Sequence, residues 1–349
     1  MQLITPKSTS ESARITSLRD PLRIIIWAAG ILLAVITAAL RPDASASAAT
    51  ATARPFVTLA AIILASALAG RLGAFRILAS ALIPARGPRI IPAAAVLALT
   101  ALLSGLVNLD VAVVVATPVA LLTAQRRGLP SGRLALAVAI MANAASFLLP
   151  TANITNLLLL GRVPLAIPAY LRASWLPWIL VTAVTLGPLA LWAGHAHPGQ
   201  ARAVPAFPAA LAARAVLDLV PMFLIASAIR ALLGTGLALH GSFISQLARG
   251  AMLACAANNL PAAAAILPTG TPGLWAAILA TTIGPNLLIT GSVATLISRR
   301  IARDAGARFT AWQFSAVGGA LVPAQLAAAT LGLHITGLHI TGLYTTGAL

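Results

Sequence analysis

Only six acidic residues occur in this chain of 349, and one of them, Asp110, stands in the middle of the apolar run 90–124. Holding a bare carboxylate at membrane depth is costly. The default reading is therefore a group that faces a cavity, where it titrates or meets a cation. The same residue at a hairpin tip near water would only cap a helix start. Glu11, Asp20, Asp43 and Asp304 fall in loops or in the N-terminal leader, and Asp218 lies near Arg214 where capping or pairing accounts for it.

Amides cluster at comparable places. Asn108 stands two residues before Asp110, and Asn143, Asn153, Thr155 and Asn156 lie within the apolar run 134–161. Asn258 and Asn259 interrupt 250–268, and Asn286 and Ser292 interrupt 273–298. An asparagine offers both a donor and an acceptor, so it can bind a hydroxylated or anionic solute and help to ligate Na⁺. It can equally pin a turn through bonds to the backbone. Cys255 sits about one helical turn before Asn258 and is the only cysteine. It could touch a soft solute or simply pack the segment, and it rules out an intramolecular disulfide or a cysteine metal cluster.

The elements that hold these residues follow from composition. The chain is 60% hydrophobic and 8% charged, with a mean hydropathy of +0.96. Such a chain cannot cover itself with polar surface, and lipid must do so. The net charge of +17 sits on arginines in loops between apolar spans, as the positive-inside rule requires, and no basic face interleaved with aromatics suggests nucleic acid. Apolar spans read at 22–40, 56–70, 90–124, 134–161, 174–193, 215–233, 250–268, 273–298 and 312–333. Residues 22–40 follow a basic leader and precede Ala44-Ser45-Ala46-Ser47-Ala48 as in a signal peptide, but the apolar run is long for one and reads as a retained first span.

Two spans are not simple crossings. The run 90–124 is too long for one helix and has basic flanks on both sides, Arg86 and Arg89 before it, Arg126, Arg127 and Arg133 after it. Both ends on one side imply a re-entrant hairpin with its tip at Asn108 to Asp110; two tight crossings are the alternative. The run 250–268 carries Asn258-Asn259-Leu260-Pro261 and little flanking charge, which fits a hairpin from the other face. Each hairpin precedes a span broken at its centre, by Pro150 to Asn156 in the first case, and by Gly284-Pro285-Asn286 with Thr290-Gly291-Ser292 in the second. At such breaks free N–H groups and the positive ends of half-helices point at a site, while unwound carbonyls can hold a cation.

The expected fold is thus all-α and polytopic, with two inverted repeats, each a re-entrant helical hairpin followed by a broken transmembrane helix. Its parts are a cytoplasmic leader 1–21, a first repeat 22–193 with hairpin 90–124, and a cytoplasmic linker 194–214. A second repeat 215–333 with hairpin 250–268 and a low-complexity tail 334–349 complete it.

At LVNLDVAVVVATPVAL (106–121), ANAASFLLPTANITNLLL (142–159), ANNLPAAAAILP (257–268) and IGPNLLITGSVATLI (283–297), the chain resembles the arsenite efflux permeases. The wider ion-transporter superfamily to which they belong also holds sodium/proton antiporters and sodium-coupled dicarboxylate carriers. The resemblance implies a substrate held between two tips and two broken helices, with roles for Asn108, Asp110, Asn153, Asn156, Asn258, Asn259, Asn286 and Ser292. It implies a multi-pass inner-membrane secondary transporter, and proton-coupled efflux of arsenite or antimonite is the expectation. An antiporter or an organic-anion carrier is the alternative, and a membrane enzyme is more remote, since one buried acid without a base or metal cluster supports little chemistry. The partners expected are a small inorganic or anionic solute, H⁺ or Na⁺ and the lipid bilayer, with a homodimer permitted; no cofactor and no nucleic acid are expected.

Overall fold

The computed structural model describes residues 21–74, 77, 80–81, 87–195, 209–234 and 236–337. The leader, most of the linker, Arg86 and the tail beyond Gly337 lie outside them, as does the side chain of Asp218. The first half runs α1 (Pro21–Leu40), α2 (Pro42–Arg71), α3 (Ile90–Leu106), α4 (Leu109–Arg127), α5 (Ser131–Ala144), a 3₁₀ turn (Pro150–Ala152), α6 (Ile154–Leu160) and α7 (Ile167–Gly194). The second runs α8 (Ala209–Leu233), β1 (Leu237–Ala238), α9 (Phe243–Ala257), α10 (Asn259–Ala265) and β2 (Ile266–Leu267). It continues with α11 (Gly270–Thr282), a 3₁₀ turn (Gly284–Leu287), α12 (Val293–Asp304) and α13 (Ala311–Ile335). The chain is therefore a mostly helical membrane protein.

Burial sorts these helices by what surrounds them. In α4 the run Leu109–Leu121 is buried throughout, and so is Leu134–Ala144 of α5. By contrast α1, α7 and α13 leave large apolar side chains outside, among them Ile25, Val35, Ile167, Trp175 and Leu331. An apolar outer surface of this extent is stable only against hydrocarbon. By length and composition α4, α7 and α13 are each sufficient to cross a bilayer.

Helices α3 and α4 form a tight hairpin. Val107 and Asn108 both donate backbone N–H groups to Leu103 O, which ends α3, and Asn108 then turns extended and starts α4. At the other end Arg127 donates to Gly87 O at 2.6 Å, so the two arms begin and finish side by side. With 17 and 19 residues the arms are about 25 and 28 Å long. Gly128, at φ 64°, then turns the chain into α5 through the bonds from Gly128 and Leu129 N–H to Ala124 O.

Three expected boundaries are corrected. The second span begins at Pro42 rather than residue 56, because the alanine-rich stretch is a strong helix former and Thr50 and Thr52 return their hydroxyls to Ala46 O and Ala48 O. The second hairpin begins at Phe243 rather than residue 250. Ser242 caps α9 by accepting from Ser245 N, and Arg249 lies within the helix and reaches back to His240 O. Helix α8 begins at Ala209, inside the stretch 194–214 expected as linker.

The freed carbonyls of the first break are satisfied by one face of α7. Tyr170 Oη donates to Phe147 O (3.0 Å), Ser174 Oγ to Leu148 O (2.8 Å) and Trp178 Nε1 to Ala145 O (2.9 Å), a stripe at four-residue intervals. The second break is held by close backbone approach instead. A Cβ at Gly318 of α13 would lie 1.7 Å from Asn286 O, so only glycine lets that helix seat there.

Candidate functional site

Both hairpin tips are tied to the neighbouring break by the same pair of bonds. Asn108 accepts from Asp110 N (2.9 Å) and donates Nδ2 to Thr151 O (3.2 Å). Asn258 accepts from Leu260 N (3.4 Å) and donates Nδ2 to Thr290 O (2.9 Å). Thr151 and Thr290 each stand two residues before the N-cap of the following half-helix, Asn153 for α6 and Ser292 for α12. Each asparagine thus fixes a half-helix start and a break together. Asn259 N adds a bond to Gly291 O at 2.8 Å.

As a result four helix starts converge. Leu109 and Asp110 of α4, Asn153 and Ile154 at α6, Asn259 and Leu260 of α10, and Ser292 to Ala294 at α12 line one cavity, which Leu219 and Phe223 of α8 close. It is small, with room for about one ion or water. Among the described residues no arginine or lysine lines it, and Asp110 is its single ionisable side chain. The N-terminus of a helix carries unsatisfied N–H donors and roughly half a positive charge, strongest in the long helices α4 and α12. The positive ends of these dipoles thus face the cavity, where the carboxyl of Asp110 also stands. Ser292 caps α12 by position without making the cap bond, and its buried Oγ has no hydrogen-bond partner among the described residues, which leaves the hydroxyl available to a solute.

The other expected residues are sorted by their contacts. Asn153 lines the cavity, accepts from Thr155 N (3.1 Å) and donates to Ser146 Oγ (3.2 Å). Asn156 lies outside the lining and donates to Ser146 O at 3.0 Å, bracing the break from within; its Oδ1 and the hydroxyl of Thr155 have no partner. Asn286 also stands outside the lining. Its Oδ1 accepts from Asn143 Nδ2 (3.0 Å) and its Nδ2 donates to Ile140 O (3.2 Å). Asn143 further donates to Thr295 Oγ1 at 2.9 Å, so the two amides clamp α5 of the first half to the break and first turn of the second. Cys255 donates to Gly284 O at 3.1 Å, also away from the cavity lining.

Sequence reasoning missed the α8 wall. Leu219 and Phe223 are spaced one turn apart, and Phe223 is set by an edge contact with Phe56 of α2 at 4.8 Å. Nothing in their type separates them from any other apolar pair in a span.

A family model described as citrate transporter, CitMHS, matches residues 15–338, a stretch that takes in both hairpins and both broken helices. No curated protein matches the chain. The description points to citrate-like solutes and gives the expectation of arsenite efflux no support. The family is one of transporters rather than enzymes.

Proposed function

The chain belongs to the CitMHS citrate transporter family, and from that premise we propose that it is a secondary transporter of citrate-like carboxylate anions, bound between the two tips and the two breaks. The observation that supports this most is the convergence of four helix starts on one cavity with no cationic side chain. Carboxylates can be held there by backbone N–H groups and dipoles, with the amides of Asn153 and Asn259 and the hydroxyl of Ser292 as further contacts. An organic anion needs cationic or dipolar help, and the converging helix starts supply the dipolar kind. The cavity has room for one ion or water, and the proposal has it widen when a tricarboxylate binds.

Asp110 gives the coupling its place. Carrying an anion past a bare carboxylate in a low-dielectric barrier is unfavourable, so Asp110 takes a proton or Na⁺ as the anion binds and returns it on release. The topology that serves this is a pair of inverted repeats with re-entrant hairpins. Two features support it: the matching bonds of Asn108 and Asn258, and the arms of the first hairpin meeting at Arg127 and Gly87. The Arg-rich end, with Arg126 and Arg308, is then cytoplasmic.

The test is radiolabelled citrate uptake by the purified full chain in proteoliposomes, under imposed proton or Na⁺ gradients, with arsenite as competitor. Accumulation of citrate that collapses with one of the gradients, and that arsenite leaves unchanged, is expected. Absence of citrate accumulation or exchange under either gradient, by protein that folds, overturns the proposal.

A further inference from the structure

Arginines stand at both ends of the helix bundle. At one end Arg41 bonds Leu232 O (3.2 Å), Arg162 bonds Ala264 O (2.6 Å) and Arg249 bonds His240 O. At the other end four segments meet. Arg127 bonds Gly87 O at the mouth of the first hairpin, and a Cβ at Gly132 would lie 2.1 Å from Arg308 O. A Cβ at Gly194 would lie 2.8 Å from Ile90 Cα, which brings in the end of α7. These segments carry Arg89, Arg126, Arg127, Arg133 and the four arginines between 299 and 308, against the single acid Asp304.

Several of these guanidinium groups have nothing to bind. Arg89, Arg126, Arg303 and Arg308 are exposed, and their side chains make no hydrogen bond or ion pair among the described residues. Like charges gathered on one face repel unless counter-anions sit between them, and the counter-anion has to be one available at that depth. Two tryptophans set the depth. Trp312, at the first turn of α13, is 79% exposed, and Trp192 lies under the guanidinium of Arg133 at 5.1 Å. Exposed tryptophan at the end of a membrane helix marks the headgroup level.

We propose that this face is a binding surface for anionic phospholipid headgroups, whose phosphates bridge Arg126, Arg303 and Arg308 while Trp312 lies against the glycerol region. The guanidinium fork suits phosphate oxygens, and clustered arginines beside a membrane helix select anionic lipid. The inference rests on the membrane placement of the chain and not on citrate as the solute.

The test measures quenching of tryptophan fluorescence in vesicles of brominated phosphatidylglycerol or brominated phosphatidylcholine, with Trp312→Phe marking the contribution of that residue. The wild type should show stronger quenching of Trp312 by phosphatidylglycerol at equal mole fraction, falling as salt is raised. At about fivefold preference per arginine, the triple variant Arg126→Gln, Arg303→Gln, Arg308→Gln should lose roughly a hundredfold, and the triple lysine variant should keep most of it. Citrate transport is not needed for the readout, so failure of the citrate proposal leaves this one standing. Equal quenching by the two lipids overturns it, as does a preference that survives in the glutamine variant. Displacement by millimolar inorganic phosphate would also overturn it and assign a soluble anion instead.

Discussion

Asn258 has φ 77° and ψ 152°, the only non-glycine residue with positive φ among the described residues, and it stands at the second tip. That region is populated almost only by glycine and costs of order 1–3 kcal/mol. Its counterpart Asn108, at φ −171° and ψ 150°, is ordinary extended backbone. Substituting glycine at either position removes the tether to Thr290 O or Thr151 O, about 1 kcal/mol, and weakens the cap by a few tenths. It also adds about 0.5–1 kcal/mol of backbone entropy. At 108 these sum to about 2 kcal/mol of destabilisation; at 258 relief of the strain offsets them to near zero. Over a chain of 349 residues a difference of about 2 kcal/mol amounts to about 3 °C in melting midpoint. Asn258→Ala keeps the strain and loses the bonds, so it should fall with Asn108→Gly. The assay is built into the chain: Cys255 is buried three residues before Asn258, and a thiol-reactive fluorophore reports its release on heating. If Asn258→Gly melts as early as Asn108→Gly, the tip is not strained in the way its geometry says and the reasoning fails.

Asp110→Asn, a permanent mimic of the protonated acid, should retain citrate exchange while losing uphill accumulation and its pH dependence; unchanged pumping would reduce Asp110 to a helix cap. Gly318→Ala should abolish stable folding or transport, because its Cβ would overlap Asn286 O, whereas Gly319→Ala, with nothing within 4 Å, should be neutral or slightly stabilising. Melting curves and uptake separate the two, and equal behaviour would contradict the contact. Single cysteines replacing Arg89 and Arg126 in a Cys255→Ala background should both label from the same side of the membrane. Labelling from opposite sides would remove the re-entrant reading of α3 and α4.

Cavity-lining residues and structural residues look alike in this chain until their partners are known. Asn108, Asn153 and Asn286 are all buried amides in apolar runs, yet Asn153 lines the cavity, Asn108 binds a tip to a break, and Asn286 clamps the two halves together through a residue 143 positions away. The hydrogen bond that decides each role is long-range, and no local pattern carries it. The α8 wall of Leu219 and Phe223 was illegible for the same reason, since any apolar pair one turn apart fits a span.

The sequence by itself determined that lipid surrounds this protein, where the apolar spans are interrupted, and that Asp110 stands in the middle of one of them. Those are local properties, Asp110 being read from its place in the middle of an apolar run, because an uncompensated polar group or a broken helix inside hydrocarbon is costly wherever it occurs. Only the tertiary structure decided that four helix starts face one another across one cavity and that α7 satisfies the carbonyls of the first break. It also decided which arginines bond backbone carbonyls, Arg127 and Arg162 among them, and which, such as Arg126 and Arg308, make no such bond among the described residues. Each of these depends on which elements pack together, and helix dipoles, unlike side chains, acquire a target only when the chain has folded.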